Sequence, residues 1–107
     1  MKLAEINSEI YNRLITVIPT FPVVEPTSTQ KLPFAVYSID NATDFNKDGA
    51  KSVQFTIKVL ETTYEKMINK TDSILDSFAD CTDISVSTGI LQGSQGYISI
   101  IKLNINL

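Results

Sequence analysis

Histidine is absent from this 107-residue chain, and cysteine occurs once. Without histidine, the commonest general base at neutral pH is missing. With Cys81 alone, no internal disulfide can form, which fits a reducing cytoplasm. No apolar run approaches the roughly 20 residues of a membrane span, so no membrane partner is expected. Glu5 and Glu9 interrupt what would be the apolar core of a signal peptide, so export by that route is not expected. Cations are few and scattered. Nine Lys and Arg against twelve Asp and Glu leave a net charge of −3, without the clustered cations that direct nucleic-acid binding requires.

What is present suffices for one globular domain, residues 1–107. Hydrophobic residues make up 43% of the chain and charged residues 20%, enough apolar surface to offset the entropy of ordering. Leu3, Ile6, Ile10, Leu14, Val17 and Ile18 recur at three- and four-residue steps, the apolar face of a helix over about Lys2 to Ile18 that Pro19 stops. The prolines at 19, 22, 26 and 33 then exclude helix, and Val23–Val24 is a candidate short edge strand. "FAVYSI", Phe34 to Ile39, reads as a buried strand.

The clearest alternation is in "KSVQFTIKVL". Val53, Phe55, Ile57 and Val59 share one face; Ser52, Gln54, Thr56 and Lys58 share the other. These two runs should pair as an antiparallel hairpin. A second helix follows, with Thr62 as its cap and Glu65 completing a capping box. Tyr64, Met67, Ile68, Thr71, Ile74 or Leu75, and Phe78 line its inner side, and it ends near Asp80.

Two closing strands, "ISVSTGIL" and "YISIIKLNINL", flank the turn "QGSQG". Ile101, Leu103, Ile105 and Leu107 share a face, while Ile98 and Ile100 fall out of phase. A β-bulge near Ile100–Ile101 would return all six to the core and is the preferred reading. The alternative is an apolar patch on the second face that another subunit covers. The expected architecture is α+β: two helices on one face of a mostly antiparallel sheet of four or five strands, in the order α-(β)-β-β-α-β-β.

Asp44, Asn46, Asp48 and Gly49 in "DFNKDG" match the first half of a calcium loop. The twelfth position, which must supply a bidentate acid, is Phe55, and both flanks are strands. The segment therefore reads as a hairpin tip, with Asp and Asn accepting backbone hydrogen bonds. No metal is expected. Cys81 follows a helix C-terminus, where the dipole disfavours a thiolate, and reads as a packing residue. "QGSQG" lacks the lysine and the following helix of a phosphate loop. No cofactor and no catalytic constellation are expected.

The chain resembles the tail-completion, or tail-terminator, family of tailed bacteriophages. The likeness rests on "EINSEIYNRLITVIPTFPVV", on "LPFAVYSI" and on "KSVQFTIKVLETTYEKMINKTDSILDSF", followed by two closing strands. The "QGSQG" turn is shorter than the loop many members have there. The resemblance implies a structural virion protein that forms a ring, commonly a hexamer, at the head-proximal end of the tail. Its partners would be further copies of itself, the tail-tube protein and a neck or head-tail connector protein. A neck or connector subunit shares most of these features. Outside the phage reading stand a calcium-modulated or peptide-binding module and a small regulator that binds a metabolite.

Ring contacts are heterologous, which requires two complementary side surfaces. Candidate contacts are the loop residues Asp44, Phe45, Asn46, Lys47 and Asp48, and the polar strand residues Ser52, Gln54, Thr56 and Lys58.

Overall fold

A computed structural model of the chain describes residues 3–22, 32–43, 52–91 and 96–106. Its order is helix α1 (Leu3–Ile15), strands β1 (Thr20–Pro22), β2 (Phe34–Thr43) and β3 (Ser52–Glu61), helix α2 (Tyr64–Ser77), then β4 (Thr82–Ile90) and β5 (Tyr97–Asn106). The strands form one sheet in the order β1-β2-β3-β5-β4. Both helices supply side chains to one core on one face of that sheet, so the α+β architecture expected from the sequence is the observed one. β1 pairs parallel to β2, and every other pairing is antiparallel.

The core follows from two periodicities. Ile6, Ile10 and Leu14 project from α1 at four-residue steps. Val53, Phe55, Ile57 and Val59 project from β3 at two-residue steps and are at most 1% exposed. Phe55 meets Phe78 with ring centroids 5.5 Å apart. Each such buried side chain is worth about 1.5–3 kcal/mol relative to exposure. Phe55 has no side-chain oxygen for a cation, and its burial makes the twelfth position of the half-matched calcium loop a core position. The loop, residues 44–51, and Val23–Val24 lie outside the described residues.

Several boundaries differ from the sequence reading. α1 ends at Ile15, three residues before Ile18, because its last turn tightens: Val17 N and Ile18 N both donate to Leu14 O. The Thr16 hydroxyl donates to Arg13 O in the same turn. The cap of α2 is Thr63, not Thr62. Its hydroxyl accepts from Lys66 N at 3.2 Å, while Thr62 turns back to donate to the Glu61 carboxylate. α2 closes at Ser77, with Phe78 as its C-cap. The described short strand is Thr20–Pro22, with the parallel register Thr20 to Ala35.

The bulge expected near Ile100–Ile101 does not occur. β5 pairs with β3 in unbroken register from Tyr97 opposite Glu61 to Asn106 opposite Ser52. With a period of two and no insertion, Ile101 faces the helices and is fully buried, while Ile98 and Ile100 point to the opposite face and are half-buried. The register breaks lie elsewhere, between Ile39 and Asn41 in β2 and between Thr82 and Ser85 in β4.

Candidate functional site

The second face of the sheet, away from the helices, divides into two halves. Toward one end, cross-strand pairing sets Phe34, Leu60, Ile98 and Gly89 in one row. Phe21, Val36, Lys58, Ile100 and Ser87 form the next. Phe34 is buried against Phe21, ring centroids 6.1 Å apart, and Phe21, Val36, Leu60, Ile98 and Ile100 are half-buried. This half is apolar apart from Lys58 and Ser87. Of the two readings offered for β5, the one that leaves Ile98 and Ile100 on the second face is observed, beside the polar residues Ser52, Gln54, Thr56 and Lys58 by which β3 had marked that face.

Toward the other end the face is polar. The Ser52 hydroxyl donates to Asn104 Oδ1 at 2.7 Å, Asn104 Nδ2 donates to Asn106 Oδ1, and Asn106 Nδ2 donates to the Thr82 hydroxyl at 2.9 Å. Gln54 and Lys58 are exposed, as the alternation implied. Thr56 is not: it is 8% exposed, and its hydroxyl donates to the Asp40 carboxylate, which also accepts from Ser38. Thr56 is therefore a strand-to-strand tie and less available for contact than its neighbours.

Both register breaks border this polar half. Asp40 occupies the break in β2, and Asp83, with φ of 52°, occupies the break in β4. They line one surface hollow of about 240 Å³ together with Gln54, Ser85, Lys102 and Asn104. A bulge swings the strand and re-aims its side chain. No sequence signal pointed to Asp40, Asp83, Lys102 or Asn104, because the strands that bring them together are distant in sequence. The loop candidates Asp44, Phe45, Asn46, Lys47 and Asp48 fall outside the described residues.

Cys81 sits at the end of α2, 7% exposed. Burial pushes its thiol up to about 11, and the neighbouring Asp80 adds to that shift. At neutral pH it is a protonated packing group, consistent with its place in the core cluster.

The flank formed by β4 is the most exposed apolar part of the described fold. All nine residues of β4 are exposed. Ile84, Val86 and Ile90 are 42%, 43% and 74% exposed, and Tyr64 of α2, stacked edge-on to Tyr97, is 54% exposed. α2 packs over β3 and β5, so it ends its cover one strand short of this edge.

No family model matches the chain, and no curated protein matches it. Among solved structures the chain is similar to the one described as "Structure of bacteriophage SPP1 gp17 protein". The two superpose with a TM-score of 0.64 at 12% sequence identity, over 99% of this chain and 92% of that one. At that identity the likeness is one of fold: the whole of this α+β domain, from α1 to β5, follows the architecture of a bacteriophage protein.

Proposed function

We propose that this chain is a structural, non-catalytic subunit of a tailed-phage virion. In this reading it assembles as a ring at the head-proximal end of the tail, halts growth of the tail tube and joins the tail to the head. The observation that carries the reading is the near end-to-end fold likeness to the SPP1 gp17 protein. It agrees in kind with the resemblance of the sequence to tail-terminator proteins, which rests on different grounds.

The chemistry of the surface supports a binding role over a reaction. The one thiol is buried and protonated, and histidine is absent. The second face offers a polar half, with Gln54, Lys102 and Asp83 exposed, beside an apolar half with Ile98 and Ile100 in which Lys58 is the exposed charge. Such a divided surface fits a protein neighbour better than a small molecule. The tail-tube protein and a neck protein are the partners on the two ends of the ring, with Asp44 to Asp48 and the Ser52, Gln54 and Lys58 surface as contact regions.

Native mass spectrometry of the purified protein, alone and with tail-tube protein, tests the reading. A closed oligomer of defined stoichiometry is expected. A strict monomer at high concentration under both conditions would count decisively against it.

A further inference from the structure

We infer that the first half of β5 is a two-register strand. Residues 97–100 can shift by one position against β3 and β4, and the extra residue is taken up as a bulge at Ile100 and Ile101. The shift exchanges Ser99 for Ile98 and Ile100 in the core, and so withdraws apolar surface from the second face.

The observed, straight register carries a cost. Ser99 lies on the helix-facing side of β5 with Ile101 and is fully buried. Its hydroxyl has no hydrogen-bond partner, alone among the buried side-chain polar atoms of the described residues. A buried polar group left unpaired has lost its hydration without replacement. Val59 and Thr88, which flank Ser99 across the sheet, do not supply a partner.

The residues on either side of Ser99 are misplaced in the complementary sense. Ile98 and Ile100 sit half-buried on the second face, while the small polar residue between them occupies the core position. Apolar residues on both sides of a strand specify its register weakly. A bulge at Ile100 and Ile101 would set Ile98 beside Val59 and Thr88 on the helix side. It would set Ser99 beside Lys58 and Ser87 on the second face, where water can reach its hydroxyl. Against this stands Tyr97, whose edge-on contact with Tyr64 belongs to the straight register. Each register satisfies groups that the other leaves unsatisfied, the condition for two packings close in free energy.

A polar chain limits how far the shift runs. Asn104, 8% exposed, accepts from Ser52 and donates to Asn106, which in turn donates to Thr82. These bonds tie β3, β5 and β4 together, and a one-residue shift of Asn104 would turn it toward the helices and break them. The second half of β5 is therefore pinned, and the movement ends at Ile101, buried opposite Ile57.

The device sets what the second face shows. Straight, β5 presents Ile98 and Ile100 there; bulged, it presents Ser99. A protein that binds this half of the face selects the straight register.

NMR relaxation dispersion of the unmodified protein tests this. Exchange is expected at residues 97–100 and at the facing residues 58–60 and 87–89, with Ile57, Ile101 and Asn104 quiet, from a minor state of about 0.1–10%. Ser99→Ala removes the unpaired hydroxyl and should lower that population at least about fivefold. Ser99→Lys cannot occupy the straight register; it should fold with side-chain NOEs between Ile98 and Val59. The inference is overturned by an unmodified protein without this exchange, by exchange that Ser99→Ala leaves unchanged, or by a folded Ser99→Lys with Ile98 still opposite Leu60. If Ser99→Lys does not fold, the first two measurements decide.

Discussion

Arg13 grips Asp80 with two parallel hydrogen bonds, Nη1 to Oδ1 at 2.7 Å and Nη2 to Oδ2 at 3.1 Å. The same guanidinium donates to Ser77 O at the end of α2 and lies over the Phe78 ring, 5.2 Å from its centroid. It also bonds Glu9 one turn earlier on α1. One side chain thus ties the C-terminal end of α1 to the C-terminal end of α2, where a cation complements the helix dipole. The forked geometry requires arginine.

Arg13→Ala should lower stability by about 1–2 kcal/mol, a modest value because Asp80 is half exposed and its ion pair is screened. Arg13→Lys should recover less than half of the loss. Urea denaturation of the three proteins measures this.

The same pair sets an acid dependence. The Arg13 hydrogen bonds hold the Asp80 carboxyl below its ordinary value of 3.8. A carboxyl lowered in the folded state contributes stability that is full above its unfolded value and is lost as pH falls through its folded value. Stability should therefore decline from about pH 4 downward, and Arg13→Ala should flatten that part of the profile. Unfolding free energies between pH 2 and 6 check it.

Adjacent isoleucines should behave oppositely. Ile101→Ala should cost about 2–5 kcal/mol, because Ile101 is fully buried under the helices. Ile100→Thr should cost under about 1 kcal/mol in the isolated subunit, because Ile100 lies half-exposed on the second face. Equal costs would mean that the strand register is not the one described.

Cys81 should resist a thiol reagent in the folded protein at pH 8, given its burial and a pKa of about 11, and react fully in denaturant. Rapid stoichiometric labelling of the native protein would contradict its place in the core.

The sequence exposed these features unequally. Alternation in β3 identified Val53, Phe55, Ile57 and Val59, because a strand with one buried face writes its period into the residues themselves. The spacing of Ile6, Ile10 and Leu14 did the same for α1. In β5, Ile98 and Ile100 are as apolar as Ile101, so composition could not say which face each occupied. Only the pairing with β3 decides that. Arg13 and Asp80 are 67 residues apart and carry no local signal of their meeting. The bulges at Asp40 and Asp83 are mismatches between two strands, and neither strand shows them alone. Thr56 looked solvated by parity, and its burial depends on Asp40 across the sheet.

Deleting Asn46 to Asp48 should weaken assembly more than folding, if this segment touches a neighbour in the ring. Thermal melting and native mass spectrometry of the deletion variant separate the two effects. Normal assembly would remove this segment from the contact regions.

The proposed role is that of a cap on a growing tail tube. Its most direct test is electron microscopy of tail-tube protein polymerised with and without this chain, carrying a gold label. The account predicts label at one end of each tube and a tube population that stops lengthening once capped. Unlabelled tubes, or label scattered along their sides with growth unchanged, would contradict it.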